Sequence, residues 1–281
     1  MDDLEIGLCW GSLQNATLPE LIEAAGRHGF PTITVRPVAF LAALETGLDE
    51  KALRRRLADA GVRVTVIDAI SKGLPGMPSP EAVDPALRAV VPPDEAACLR
   101  AAEALEAPIV NVAHFTGRPV PLEQMAEAVG GVCRRAGARG LQVVLEFIPD
   151  TGLPDLAFAQ AVATTCGEAN CTVLLDTWHL ARSGGTLEDL RALPPGAIGA
   201  LQLSDRTPPA PGTPYVPMSG RDLPGEGQLP LGDLVRAARA AANRPGLTAE
   251  IEVFNDELRG LPVDAAAARI AAAIKAWRAT C

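Results

Sequence analysis

The sequence predicts an α/β protein, a (β/α)8 TIM barrel formed by residues 1–281 as one domain, and three observations carry that prediction. Short apolar, β-branched runs alternate with helical patterns eight times along the chain. Several of these runs are apolar throughout and then stop at a carboxylate or amide, as expected of parallel strands buried on both faces whose carboxyl ends bind ligands. No dinucleotide fingerprint is present, because Gly225-Glu226-Gly227 follows Pro224 in a loop and does not link a first strand to its helix. Repeated right-handed crossovers then close the sheet on itself, and 281 residues is an ordinary length for one such barrel.

The first strand is read over 4–10. Thr17-Leu18-Pro19-Glu20 then supplies a capping-box start for a helix ending near Gly29. A second strand covers 32–36. Asp49 opens a helix over 50–60, Gly61 ends it, and 62–68 form the third strand. A Gly- and Pro-rich loop, 72–84, precedes a helix near 94–106 and the fourth strand, 108–113. A helix over 122–138, a strand over 141–147, a helix over 155–168 and a strand over 171–177 keep the period. A short helix at 187–192 leads to the strand 198–204. The segment 207–224, with six prolines, has the character of an active-site loop. A helix at 231–243, a strand at 247–254 and an alanine-rich helix at 263–278 complete the count.

Composition narrows the function classes. No stretch approaches the roughly 20 uninterrupted apolar residues of a membrane helix, so no membrane partner is expected. The acidic start Met1-Asp2-Asp3-Leu4-Glu5 lacks the basic segment of an export signal, so a cytoplasmic location is expected. A net charge of −9 opposes nucleic-acid binding, and the dense basic run Arg54-Arg55-Arg56 reads as a solvated helix face. Six cysteines without a Cys-x-x-Cys pair read as reduced thiols, mostly buried. The expected partner is a small-molecule substrate, with homo-oligomer formation left open.

Barrel strands present their carboxyl ends on one face, which brings Glu146, Asp176, Gln202 and Glu252 around one centre. Their oxygens suit a hard divalent cation, Mn²⁺ or Mg²⁺. Alternation along the strand turns Glu250 inward with Glu252, about 6.5 Å deeper, which makes Glu252 the better ligand. His179, three residues after Asp176, reaches the same cavity. His114 after the fourth strand reads either as a substrate contact or as a satisfied, half-buried histidine. Trp10 and Trp178 read as aromatic walls or as packing under a loop, and Arg221 and Arg36 as groups holding substrate or as surface ion pairs.

Leu145-Glu146, Leu175-Asp176-Thr177-Trp178-His179, Leu201-Gln202-Leu203-Ser204-Asp205, Leu223-Pro224-Gly225-Glu226-Gly227 and Ile251-Glu252-Val253-Phe254 together resemble the sugar phosphate isomerase/epimerase family of the xylose-isomerase-like barrel superfamily. The resemblance covers essentially the whole chain. It implies a divalent metal on Glu146, Asp176, Gln202 and Glu252, with the two glutamates on opposite sides of substrate as catalytic proton acceptor and donor. Many ketose epimerases of the group carry histidine where this chain has Gln202, while hydroxypyruvate isomerase-like members use glutamine. The implied activity is isomerisation or epimerisation of a small keto-sugar or hydroxy-ketone through an enediolate. A lyase or dehydratase of the inosose or dehydroshikimate type is the alternative on the same barrel. Apurinic endonucleases share the barrel but hold three zinc ions with many histidines, and this chain has His28, His114 and His179 alone. A non-catalytic sugar- or partner-binding barrel is the third class.

Overall fold

A computed structural model describes residues 4–78, 94–115, 117–210, 212, 213, 216, 218–242 and 246–281. Eight strands close into a parallel barrel in sequence order: β1 (Ile6–Leu8), β2 (Thr32–Val35), β3 (Arg63–Ile70), β4 (Ile109–Ala113), β5 (Gln142–Glu146), β6 (Cys171–Asp176), β7 (Ile198–Leu203) and β8 (Ala249–Ile251). The ring shuts where Ile6 pairs with Ala249 and Leu8 with Ile251. The helices are α1 (Leu18–Arg27), α2 (Pro37–Glu45), α3 (Glu50–Ala60), α4 (Glu95–Leu105), α5 (Leu122–Gly137), α6 (Leu156–Thr165), α7 (Thr177–Arg182), α8 (Leu187–Arg191), α9 (Leu231–Ala242), α10 (Asp256–Arg259) and α11 (Val263–Arg278).

Local chemistry sets these boundaries. Thr17 and Glu20 form the capping box of α1, Asp49 caps α3 through the Ala52 N–H, and Gly61 ends α3 at φ 67°. Three helices go beyond the eight expected. α2 starts on Pro37, whose fixed φ suits the first helical position, and is apolar almost all round, so it carries no amphipathic stripe to read. α7 and α10, of six and four residues, are capped by Asp176 and Asn255. The first strand is shorter than 4–10 because a 3-10 turn, Trp10–Leu13, follows Cys9 at once. Positions 79–84 of the loop expected at 72–84, positions 211, 214, 215 and 217 of the 207–224 segment, and Asn243 lie outside the described residues.

The main core lies between the strands and the helical ring, with Leu8, Ile33, Ile67, Val110, Val143, Leu175 and Leu201 facing helix residues such as Ile22, Leu53, Met125, Val162 and Ile270. Val66, Ile109, Val144, Leu174 and Ala200 fill the barrel itself as a second cluster. Below the mouth, Glu250 turns inward as strand parity requires, and Thr65 Oγ1 donates to its Oε1 at 2.7 Å. Burial pushes the Glu250 carboxyl up to about 7. Among the described residues, no helix is long and apolar enough to cross a membrane.

Candidate active site

The carboxyl ends of the strands carry a buried cluster of charge. Glu146 is the last residue of β5, Asp176 the last of β6, Gln202 lies on β7 in register with Asp176, and Glu252 directly follows β8. All four are nearly inaccessible, Asp176 at 0% and Glu252 at 3% exposure, so their partners must come from the protein or from a ligand.

Arg221 is the hub. Its Nη1 donates to Asp176 Oδ2 at 2.6 Å and to Glu252 Oε2 at 3.0 Å, while Nη2 donates to His179 Nε2 at 3.3 Å. Trp178 and Phe254 cover the guanidinium at 4.9 and 4.8 Å. Its backbone is held from both sides, by Arg221 N to Phe254 O and by Asn255 Nδ2 to Arg221 O. The 207–224 segment therefore delivers a buried cation to the mouth, not an exposed arginine. Asp205 anchors the next turn by accepting from Arg206, Gly225 and Leu229 N–H groups. Gly227 is glycine for a steric reason, since a Cβ there would lie 2.5 Å from Asp205 Oδ1.

Asp176 has two roles. Its Oδ1 caps α7 by accepting from Trp178 and His179 N–H, and that short helix carries the His179 ring into the cluster. His179 Nε2 comes to 3.5 Å from Glu146 Oε1 and 3.8 Å from Asp176 Oδ2. Burial lowers the His179 imidazole to about 4, so the ring is neutral at pH 7, with Nε2 accepting from Arg221. Burial raises Asp176, but Arg221 and His179 outweigh it and hold the carboxyl below its ordinary value. Glu146 is raised well above its ordinary value, first by burial and then by Asp68 and Asp176. Glu252 is raised likewise, by burial and by Glu146, Asp176 and Asp68 against the pull of Arg221.

Three further residues join the cluster. Asp68, on β3, accepts from Trp10 Nε1 and from Asn111 Nδ2, both at 2.7 Å, and Asn111 also donates to Glu146 Oε2 at 2.7 Å. Cys9 donates its thiol to Glu252 Oε1 at 3.0 Å. Trp10 forms a wall, edge-on to Phe254 at 5.6 Å and stacked under Arg36 at 4.2 Å. His114 directly follows β4. Its Nε2 donates to Pro75 O at 2.9 Å and its Nδ1 accepts from Gly152 N at 3.0 Å, so both ring nitrogens are spent on backbone. That arrangement matches the satisfied-histidine reading.

Whether this donor set fits a divalent cation is decided by its leftover oxygens and its charge. Gln202 Nε2 donates to Glu252 Oε1 at 3.2 Å, while Gln202 Oε1 is buried without a hydrogen-bond partner, as is Asn111 Oδ1. Among the described residues, Asp68, Glu146, Asp176 and Glu252 crowd one buried guanidinium, and burial with mutual repulsion raises Glu146 and Glu252 above their ordinary values while Arg221 holds Asp176 down. One ligand atom from each of Glu146, Asp176 and His179 lies within 4.8 Å of the others, and the same holds for Cys9, Asp68 and Glu252. Oxygen-rich and overcharged, the cluster fits a hard divalent ion.

A closed parallel barrel with buried acids at its strand ends defines a (β/α)8 fold of the ligand-binding type. The chain belongs to the xylose isomerase-like TIM barrel family, whose family model matches residues 22–280. No curated protein matches it by sequence. A structure of the IolI protein with a zinc atom is similar over 99% of both chains, with a TM-score of 0.82 and 15% identity. D-psicose 3-epimerase of Clostridium cellulolyticum H10, solved with D-tagatose, aligns over 98% of this chain and 99% of its own, at TM-score 0.70 and 17% identity. The probable 3-DHS dehydratase AsbF of Bacillus anthracis aligns over 97% and 99%, at TM-score 0.70 and 15% identity. At these identities the likeness is one of fold.

Proposed function

We propose that this chain is a divalent-metal-dependent isomerase or epimerase of a small keto-sugar or hydroxy-ketone. The observation that carries the reading is the buried convergence of Glu146, Asp176, Gln202 and Glu252, with the Gln202 oxygen left unpaired. Those four residues would hold the cation, and Mn²⁺ or Mg²⁺ suits their oxygens. Bound there, the metal supplies Lewis-acid polarisation of a carbonyl and its neighbouring hydroxyl.

Glu146 and Glu252 form the acid/base pair. Glu146 sits beside Asn111 and His179, Glu252 beside Cys9, Gln202 and Arg221, so the two carboxyls approach the cavity from different sides. Burial and mutual repulsion raise both carboxyls above their ordinary value in the metal-free protein, and their approach from different sides suits one to accept a proton and the other to donate it. Removal of the proton next to a carbonyl gives an enediolate. Return to the same carbon inverts it, and return to the neighbour moves the carbonyl. Arg221 and His179, which border Glu252 and Glu146, are the groups assigned to substrate oxygens, and Trp10 supplies an apolar wall.

The test is turnover of a ketose panel in deuterated water after chelation and Mn²⁺ replacement. Solvent label entering product without loss of water is the expected result, whereas water loss would assign the dehydratase alternative. Glu252→Gln is expected to lower turnover by about 10²–10⁴-fold. Full turnover in that variant with metal bound would refute the assigned role.

A further inference from the structure

Far from the mouth, three cysteines meet. Cys133 lies in the last turns of α5, Cys166 caps the C-terminus of α6, and Cys171 is the first residue of β6. One sulfur from each lies within 4.8 Å of the other two, and all three are free thiols. Cys133 is buried, and Cys166 and Cys171 are half-buried. Since β6 runs from Cys171 to Asp176, the cluster sits on the amino-terminal face of the barrel, about 16 Å from the mouth along that strand.

Spacing in sequence hides the cluster, and folding builds it. Packing of α5 on α6 and the return into β6 bring the three positions together. Asn170 locks the arrangement by donating to Cys133 O at 2.9 Å and Leu141 O at 3.0 Å, which ties the 166–171 turn to α5. Cys171 N donates to Glu168 O within that turn at 3.1 Å. The geometry is a backbone-defined triangle of sulfurs with one half-open side.

A pair of thiols at this distance would suggest a disulfide, but three mutual neighbours suit a shared ion. Metal–sulfur bonds of about 2.3 Å place the sulfurs of a trigonal or tetrahedral site roughly 4 Å apart, a small adjustment from the arrangement seen. The C-terminal end of α6 points its carbonyls toward the cluster, which is unfavourable for bare thiolates and favourable for a cation. The Cys133 thiol is lowered below its ordinary value by its hydrogen bond with Cys171, against burial and Glu168, while Cys171 and Cys166 are raised, so the three share their protons. An ion would replace those shared protons.

We propose that Cys133, Cys166 and Cys171 form a thiolate site for a soft closed-shell cation, Zn²⁺ or Cu⁺, on the face of the barrel opposite the active site. The open side at Cys166 leaves room for a water or other exogenous fourth ligand. The site clamps α5, α6 and β6 together and is chemically distinct from the oxygen-rich mouth.

The experiment uses the full chain, reduced and chelated, in the Cys9→Ser background, which removes the one thiol at the mouth. Titration with Cd²⁺ is expected to give a thiolate-to-metal charge-transfer band at one equivalent, since carboxylates at the mouth produce no such band. Displacement of Cd²⁺ by Zn²⁺ assigns zinc, and displacement by Cu⁺ alone assigns copper. In Cys166→Ser, at a half-buried position, affinity is expected to fall at least the roughly tenfold to hundredfold that losing even an outer partner of a ligand costs. Metal should also protect Cys133, Cys166 and Cys171 from alkylation in the unsubstituted chain. Absence of the band, an unchanged band in Cys166→Ser, or equal alkylation with and without metal would overturn the assignment.

Discussion

Strands β5–β8 deliver Glu146, Asp176, Gln202 and Glu252 to the mouth, whereas β1–β4 and the turns after them deliver Cys9, Trp10, Asp68 and Asn111. The two sets touch side chain to side chain but do different work. The first set consists of oxygens, one of them on Gln202 unpaired. In the second set, the Cys9 thiol, the Trp10 indole N–H and the Asn111 amide all donate to carboxylates, and Asp68 adds one more acid for them to hold. One half of the ring gathers negative charge, and the other half fixes where it sits. The difference teaches that carboxylates alone do not make this site, because acids at this burial need donors that orient them before a ligand arrives.

The sharpest way to break that division is to remove the buried cation that two members of the oxygen set share. In metal-free Arg221→Ala, Asp176 and Glu252 lose their shared guanidinium and stay buried. A loss of about 3–5 kcal/mol is expected, read by urea or thermal unfolding. Saturating Mn²⁺ should stabilise this variant more than it stabilises the parent, because guanidinium and ion answer the same excess charge. Equal increments in the two proteins would mean that the cation and Arg221 serve separate groups, and the oxygen half would have to be redrawn.

How much of this was legible in the sequence differs between the halves for a physical reason. Val143-Val144-Leu145-Glu146 and Val173-Leu174-Leu175-Asp176 stop being apolar at the residue that reaches the mouth, so chemistry and strand end coincide. The barrel follows from the same alternation of runs and helices. Asp68 also closes an apolar run, yet Ala69 and Ile70 continue β3 beyond it, so the signal of a stop is missing. Asn111 interrupts the middle of β4, and Cys9 reads as an apolar residue until its thiol is seen beside Glu252. The reach of Arg221 depends on the backbone bonds between 221 and 254–255, and α7 is too short to leave a helical period.

Asn111 tests the orienting half with a smaller effect. Asn111→Val removes a donor to Asp68 and to Glu146 while keeping the strand's β-branched character, and leaves both carboxylates one hydrogen bond short. A loss on the order of 2–3 kcal/mol is expected by urea unfolding of the metal-free protein. A cost below about 0.5 kcal/mol would place Asn111 among ordinary strand residues and reduce the orienting set to Trp10 and Cys9.

The smallest effect belongs to His114, whose two ring nitrogens both bond backbone. Its ring is satisfied only in the neutral form: Nε2–H donates to Pro75 O and bare Nδ1 accepts from Gly152 N–H, so a second proton would set two donors face to face. Burial accordingly lowers its proton affinity below the ordinary value of 6.5. The unfolded chain, with the ordinary value, then binds the proton more readily than the folded one. This contribution to stability is fully present above pH 6.5 and is lost progressively as pH falls from there through the lower folded value. Urea midpoints of the parent should decline over that acid window more steeply than those of His114→Gln, whose amide keeps an acceptor and a donor without titrating there. Parallel declines would show that the acid sensitivity comes from the carboxylates of the mouth, joining the two halves of the barrel in one titrating unit.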